Sequence, residues 1–437
     1  MGTSRLLAVA IVAHWFVSLG WSFSFPHPAA SSTAEGLVCV EETMERDVYS
    51  MMEWAFNACG VQKADGFQLT TNDGQDYEVY TEQDLPEGSP ILFVPNELIF
   101  ASYKAVQEFG QILVEAENNG PLSPSQRPLF RVFCKILTEY EKGQSSPWYP
   151  WLNSTPRLYN TGSAMTDACF ECLPPYAAQL ALADRQNFIN FQQTINLVAG
   201  SNLISQETLS NVKVLKWAYS VAMTRSTEWN GERLIAPMAD MLNHGTETEA
   251  QITYDEEGNC YVCASKNVPA GSPLRISLGD PTDPSKLFAT FGFLDESSPT
   301  VFCKAVHLEN EMDELGYSKS DLLFSTETGE ISMQVYDVQL YAILQENDSN
   351  LAEAFFQAVM SSDEATKGQF HNQYWEYTKA ALEEHVDGLL LDLEELSAKA
   401  KSYDIRTHPR VPVILQHNEF VRNTFWQVKQ NLLRSVL

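Results

Sequence analysis

Apolar positions recur at helical spacing over residues 42–60 (ETMERDVYSMMEWAFNACG), where Met44, Val48, Met51, Met52 and Ala55 share a face and Gly60 marks a stop. From residue 66 to 100 the pattern changes to alternation. Tyr77, Val79 and Thr81 alternate, Asp84-Leu85-Pro86-Glu87-Gly88 forms a turn, and Ile91-Leu92-Phe93-Val94-Pro95 reads as a short buried strand. Residues 101–228 read mostly as helices, at 103–118, 126–142, 175–199 and 206–228, broken by the Pro/Trp-rich loop Ser146-Pro147-Trp148-Tyr149-Pro150-Trp151. Strand texture returns at 249–278, where Ala250–Tyr254 and Asn259–Cys263 flank Asp255-Glu256-Glu257-Gly258, a hairpin signal. Beyond about 305 the chain reads as helical, with long amphipathic stretches at 363–400 and 416–435. There is no internal repeat and no low-complexity tract.

Strands, then helices, then strands, then helices again exclude a regular βα alternation and with it a simple parallel sheet. The pattern predicts an α+β chain: a β-rich domain over 45–305 holding a long helical insertion at about 101–228, followed by an all-α domain over 306–437.

Composition narrows the function. With 437 residues, 44% hydrophobic and 11% aromatic, the chain can bury a large core. Its 28 Lys+Arg against 57 Asp+Glu leave a net charge of −29 and no basic stripe, which disfavours nucleic acid and favours basic partners or plain solubility. Eight cysteines are too few for a disulfide scaffold. At the N-terminus Arg5, the apolar run Leu6–Val17 and the small residues Ser18, Gly20 and Ser22 predict a signal peptide over 1–25, with 26–44 as linker or transit segment. The run is too short to anchor the chain in a bilayer. Trp21-Ser22-Phe23-Ser24-Phe25-Pro26 resembles the aromatic cleavage motif of proteins sent through the ER to complex plastids. The expected route is therefore secretory, ending in a plastid, in the ER lumen or outside the cell.

Leu234-Ile235-Ala236-Pro237-Met238-Ala239-Asp240-Met241-Leu242-Asn243-His244 resembles the PxADxxNH signature of SET-domain protein methyltransferases, nearest the branch of the Rubisco large-subunit lysine methyltransferase. Further segments match in order. They are Val214–Ser226, with Arg225; Val268–Asp280, against "GEQVxISYG"; Leu287–Leu294, against "LLxxYGF"; Glu87–Pro95; Trp148-Tyr149-Pro150; and Val413–Phe420, similar to the last helix of the family's substrate-binding domain. The match covers about 45–437. The resemblance implies a SET domain followed by a substrate-binding domain, S-adenosylmethionine as cofactor, and methyl transfer to a lysine, or in one branch a histidine, of a protein substrate. It further implies that Asn243 and His244 contact the cofactor's ammonium and adenine, that Arg225 pairs with its carboxylate and that Asp240 orients the loop. Gly66, in Asp65-Gly66-Phe67-Gln68, stands where the family has Gly-x-Gly and would allow close backbone approach.

The sequence departs from the family at two catalytic positions. Leu278 replaces the tyrosine of ISYG and Phe291 the tyrosine of YGF, so neither carries a hydroxyl. Removing one transition-state contact of that kind costs on the order of a hundredfold in rate. A second class of function follows: a SET scaffold kept for protein binding with impaired catalysis. Tyr254 and Tyr261 are the nearby hydroxyls that would have to substitute. The pairs Cys169/Cys172 and Cys260/Cys263 have a zinc-like format, but 87 residues separate them and positions i and i+3 of a strand face opposite sides, so no metal is expected. Cys169 and Cys172 remain open to a local disulfide in an oxidising compartment.

Overall fold

The computed structural model describes residues 36–201 and 203–434. The expected signal peptide lies outside them. By contact the chain divides into two compact units, one formed by the chain up to Tyr159 together with Asp184–Leu278, the other by Asn160–Ala183 with Gly279–Leu437. Residues 160–183, within the stretch read as the helical insertion, thus group with the C-terminal part.

The first unit holds eleven strands among its described residues: β1 Gln62–Lys63, β2 Phe67–Thr71, β3 Tyr77–Thr81, β4 Pro90–Val94, β5 Phe100–Ala101, β6 Thr227–Trp229, β7 Glu232–Ile235, β8 Asn243–His244, β9 Ala250–Tyr254, β10 Cys260–Ala264 and β11 Arg275–Ile276. They form small sheets, in the orders β1-β4-β10-β9, β5-β7-β6, β2-β3 and β11-β8. Every pairing is antiparallel except β8 with β11, where Asn243 and His244 lie beside Arg275 and Ile276. The expected hairpin is present: Cys260 pairs with Tyr254, and Gly258, at φ 84°, takes the left-handed turn position that suits glycine.

Helices Ser102–Phe109 and Val212–Arg225 pack on helix Arg127–Glu141, whose inner face is buried from Leu129 to Tyr140. Phe130, Phe133 and Phe191 meet edge-on or tilted with centroids 5.4–6.0 Å apart, and Tyr219 joins them, its hydroxyl donating to Asp184 Oδ1 at 2.6 Å. Two helices expected as single are broken. Gly110, at φ 61°, splits 103–118 into Ser102–Phe109 and Gln111–Asn119. Asn211 interrupts 206–228, because its side chain accepts from the Lys213 and Val214 N–H groups and starts a new helix. Thr227 and Glu228, read as the end of that helix, belong instead to β6.

The second unit is helical around two clusters of buried residues, one that includes Val301, Phe324, Leu340, Phe355, Val386 and Phe425, the other Cys169, Cys172, Phe288, Val411 and Ile414. Its long helices, Glu364–Lys401 and Val411–Arg434, pack side by side. The region expected to be all-α, 306–437, also contains a strand, β13 Leu323–Ser325, which pairs antiparallel with β12 Thr300–Phe302 just before it. Among the described residues no helix is long and apolar enough to cross a membrane.

Candidate functional site

Four of the expected site residues lie on one stretch of the first unit. Helix Val212–Arg225 ends at Arg225, the chain returns through the β6–β7 hairpin, and Met238, at φ 74°, turns it into the short 3-10 segment Ala239–Met241. A non-glycine residue in the left-handed region carries strain of about 1–3 kcal/mol, which the surrounding packing has to hold. β8 follows directly. This path places the Arg225 guanidinium under the turn, where Nη1 donates to the Asp240 carbonyl at 2.7 Å and lies 3.8 Å from Met241 Sδ.

Asp240 points inward. Its Oδ2 accepts from the Trp151 indole N–H at 2.9 Å, while Oδ1 is buried with no hydrogen-bond partner among the described residues. Burial raises the carboxyl above the usual aspartate range, against the opposing pull of Arg225, the Trp151 hydrogen bond and Arg46. Arg46 is a second guanidinium at the same place. Its Nε donates to the Ser154 carbonyl at 2.7 Å, its Nη1 donates to the Gln75 carbonyl, its Nη2 lies 3.8 Å from Met241 Sδ, and its head stands 4.9 Å from the Tyr77 ring centre. Burial, followed by Arg225, lowers it to about 10. Tyr159 is buried beside this cluster, and its phenol is pushed up to about 12 by burial in spite of Arg225, Arg46 and Arg157.

Asn243 is exposed at its end of β8 and donates Nδ2 to the Tyr77 carbonyl at 2.9 Å. The Leu278 backbone N–H donates to His244 Nδ1 at 3.1 Å, so Nδ1 carries the lone pair and the proton sits on Nε2. Leu278 itself is half-buried, and its main chain rather than its side chain makes this contact. Gly66 has φ 83°, its carbonyl accepts from Glu82, and an added Cβ would come within 2.9 Å of Gln83 Cγ; the close approach it permits here is to Gln83. Phe291 lies in the second unit, the last residue of helix Pro284–Phe291, its ring 6.1 Å from that of Phe293.

The two substitute hydroxyls are engaged elsewhere. Tyr254 is buried, with its hydroxyl 2.9 Å from Thr227 Oγ1 and its ring against Trp229. Tyr261 donates to Asp255 Oδ2 in its own hairpin turn at 3.2 Å. All eight cysteines are free thiols, Cys169, Cys172, Cys260 and Cys263 being buried. No group of three or more His, Cys, Asp or Glu side chains comes together among the described residues as a metal site requires.

No local pattern in the sequence singles out Arg46, Trp151 or Tyr159. Trp151 falls in the Pro/Trp-rich loop that carries part of the resemblance, and that loop is its one signal. Arg46 has none, since 195 residues separate it from Met241.

No protein-family model matches the chain. Among sequence relatives, SET domain-containing protein 4 of Artemia parthenogenetica is 25% identical over 179 residues, 38% of this chain and 44% of that protein. The human protein of the same name is 20% identical over 236 residues, 50% and 52% of the two chains. Actin-histidine N-methyltransferase of Danio rerio is 23% identical over 314 residues, 67% of this chain and 48% of that protein. The chain thus spans about half the length of the curated relatives it matches. Among solved structures, Rubisco LSMT bound to AdoMet superposes with a TM-score of 0.63 at 15% identity, covering 90% of this chain and 92% of the other. The SET domain of LSMT bound to lysine and AdoHcy gives 0.61 at 13% identity with the same coverage. The chain therefore has the SET-domain fold in its Rubisco LSMT-like form, and it is similar in sequence to SET-domain proteins.

Proposed function

We propose that the chain is an S-adenosylmethionine-dependent protein methyltransferase that modifies a lysine of a basic partner protein. The observation that carries the reading is the spare hydrogen-bonding capacity of Arg225 and Asn243, which lie with His244 on one stretch of the first unit. Arg225 directs only Nη1 to protein atoms, so among the described residues Nε and Nη2 keep their donors for a planar anion. Asn243 spends only Nδ2, and His244 is held in one tautomer by Leu278. These residues fit the carboxylate, ammonium and adenine of the cofactor, which when bound supplies a methyl group on a sulfonium for a single in-line displacement. The chain's own part is to fix that ligand, to strip water and to align the incoming amine. Leu278 acts through its backbone N–H on His244, and neither it nor Phe291 carries a side-chain hydroxyl. Arg46 supports Arg225 as a second buried cation beside the Asp240 turn.

A second reading, a protein-binding SET scaffold with impaired turnover, is favoured by one specific observation: Tyr254 and Tyr261, the tyrosine hydroxyls nearest in sequence, are engaged by Thr227 and Asp255. Calorimetric titration of the chain with S-adenosylmethionine tests the shared premise. Saturable binding, weakened about tenfold or more by Arg225→Ala, is expected for loss of a charge-assisted pair. No binding by a folded chain would overturn both the cofactor assignment and the methyltransferase. Labelled-methyl transfer to a protein extract then separates the two readings. Incorporation by the unaltered chain supports the enzyme, whereas incorporation only after Leu278→Tyr with Phe291→Tyr supports the impaired scaffold. A histidine product in place of methyl-lysine would correct the substrate residue.

The secretory route is likewise our proposal, resting on Arg5 and the Leu6–Val17 run. Expression in a eukaryotic cell should yield a chain cleaved near residue 25, read by N-terminal sequencing; an intact Met1 would refute it.

A further inference from the structure

Two asparagines stand in the pattern Asn-x-Ser/Thr, the acceptor of N-linked oligosaccharides in chains that enter the ER: Asn153-Ser154-Thr155 in the first unit and Asn347-Asp348-Ser349 in the second. Such triplets arise often by chance, but the fold gives these two opposite settings. Asn153 is half-buried and tied inward. Its Oδ1 and its carbonyl each accept from Arg157 Nη2 at 3.0 Å, and the carbonyl also accepts from the Asp47 N–H at 3.1 Å. Ser154 and Thr155 are buried, and their hydroxyls donate to the carbonyls of Trp151 at 2.7 Å and Leu152 at 2.9 Å. A bulky oligosaccharide beside these groups would disrupt the turn, so the folded chain keeps Asn153 bare.

Asn347 ends helix Met333–Asn347, and Asp348 starts helix Ser349–Met360 by accepting from the Asn350 and Leu351 N–H groups. Residues 345–350 are all exposed, while Leu340 and Leu344 of the first helix and Ala352 and Phe355 of the second turn into the core. A substituent at 347 therefore leaves the packing untouched. One Nδ2 hydrogen goes to the Ile343 carbonyl at 2.7 Å. The second Nδ2 hydrogen and the Ser349 hydroxyl make no hydrogen bond among the described residues. Nδ2 has two hydrogens, so it can give one up to a sugar carbon and keep its contact at the helix end with the other.

We propose that Asn347 is a modification site: in the ER lumen it takes an N-linked oligosaccharide, and Asn153 of the folded chain does not. The proposal rests on the secretory route given above. In the transfer Nδ2 forms a bond to the anomeric carbon of an oligosaccharide carried on a lipid pyrophosphate. The bond from that carbon to the pyrophosphate oxygen breaks, the pyrophosphate leaves with the electron pair, and the displaced Nδ2 hydrogen leaves as a proton. No oxidant or reductant is consumed.

Two forms of the full chain are expressed in a eukaryotic cell, one with its own N-terminus and one with residues 1–25 replaced by a proven secretory leader. Peptide-N-glycosidase digestion in heavy-oxygen water, followed by mass spectrometry, maps every asparagine that carried a glycan. In both forms the soluble chain should lose the mass of one glycan, with Asn347 converted to aspartate and Asn153 unchanged. The mass shift should vanish in Asn347→Gln and in Ser349→Ala, both at exposed positions. A bare Asn347 in the form with the substitute leader overturns the proposal, as does a glycan on Asn153 of the soluble chain. A glycan on Asn347 in that form, beside an uncleaved and bare chain with its own N-terminus, upholds the acceptor and overturns the secretory route alone.

Discussion

Arg225, Arg46 and Asp240 show how a cation-rich corner is held together without surface salt bridges. Two guanidiniums reach the same Met241 sulfur, each at 3.8 Å, and the acid between them is raised by burial rather than lowered. The Trp151 indole is the side-chain hydrogen-bond donor to that carboxylate, so Trp151→Phe keeps the ring beside Phe100 and removes the hydrogen bond. Leaving a buried acceptor unpaired costs about 1–3 kcal/mol, and urea denaturation should show a loss of that size. His417 gives a pH prediction. Its folded value, about 3, lies below the ordinary 6.5, so the unfolded chain binds more protons in between. Its contribution is therefore complete above about pH 6.5 and is lost as pH falls towards 3. The slope is at most about 1.4 kcal/mol per pH unit, and His417→Gln should flatten it in denaturation curves taken across that range.

At the scale of elements, glycines decide where helices end and where they can touch other chain. Gly329, at φ 68°, lies against helix Val411–Arg434 so closely that a Cβ would meet the Gln427 carbonyl carbon at 2.3 Å. Both partners are backbone, so nothing can swing aside. Gly329→Ala should cost about 2–4 kcal/mol through combined overpacking and left-handed strain. Gly388, inside helix Glu364–Lys401, has nothing within 4 Å of an added Cβ. Gly388→Ala should instead stabilise by about 0.5–1 kcal/mol, since alanine lowers the entropy of the unfolded chain and favours helix. Denaturant titration of the two variants side by side checks both signs. The break at Gly110 has the same origin. Periodicity on either side carries the helix through residue 110, and only the left-handed backbone there stops it.

The whole molecule is governed electrostatically by its net charge of −29. If the proposed substrate is a basic protein, association should be steered by that field and slow as salt screens it. Stopped-flow association rates that do not change with ionic strength would argue against a basic partner. The acidic run Glu383, Glu384, Asp387, Asp392, Glu394 and Glu395 lies on one long helix, where Lys429 reaches Asp387 at 2.7 Å.

The order of amino acids by itself determines a good deal of this molecule. Period-3.6 and period-2 patterns specify backbone and burial locally, so the helices at 126–142 and 363–400 and the Asp255–Gly258 hairpin are legible to within a residue or two. The ordered motifs around Asn243 and His244 likewise lead to the SET fold. Side-chain partnerships are not legible in this way, because they join positions far apart in the chain. Arg46 and Met241 are 195 residues apart, Trp151 and Asp240 are 89 apart, and Ser285 and His417 are 132 apart. No local pattern constrains such pairs. Only packing fixes which buried donor meets which acceptor, and packing is what makes Leu278 a main-chain partner of His244 and gives two alike triplets, at 153 and 347, a half-buried and an exposed asparagine.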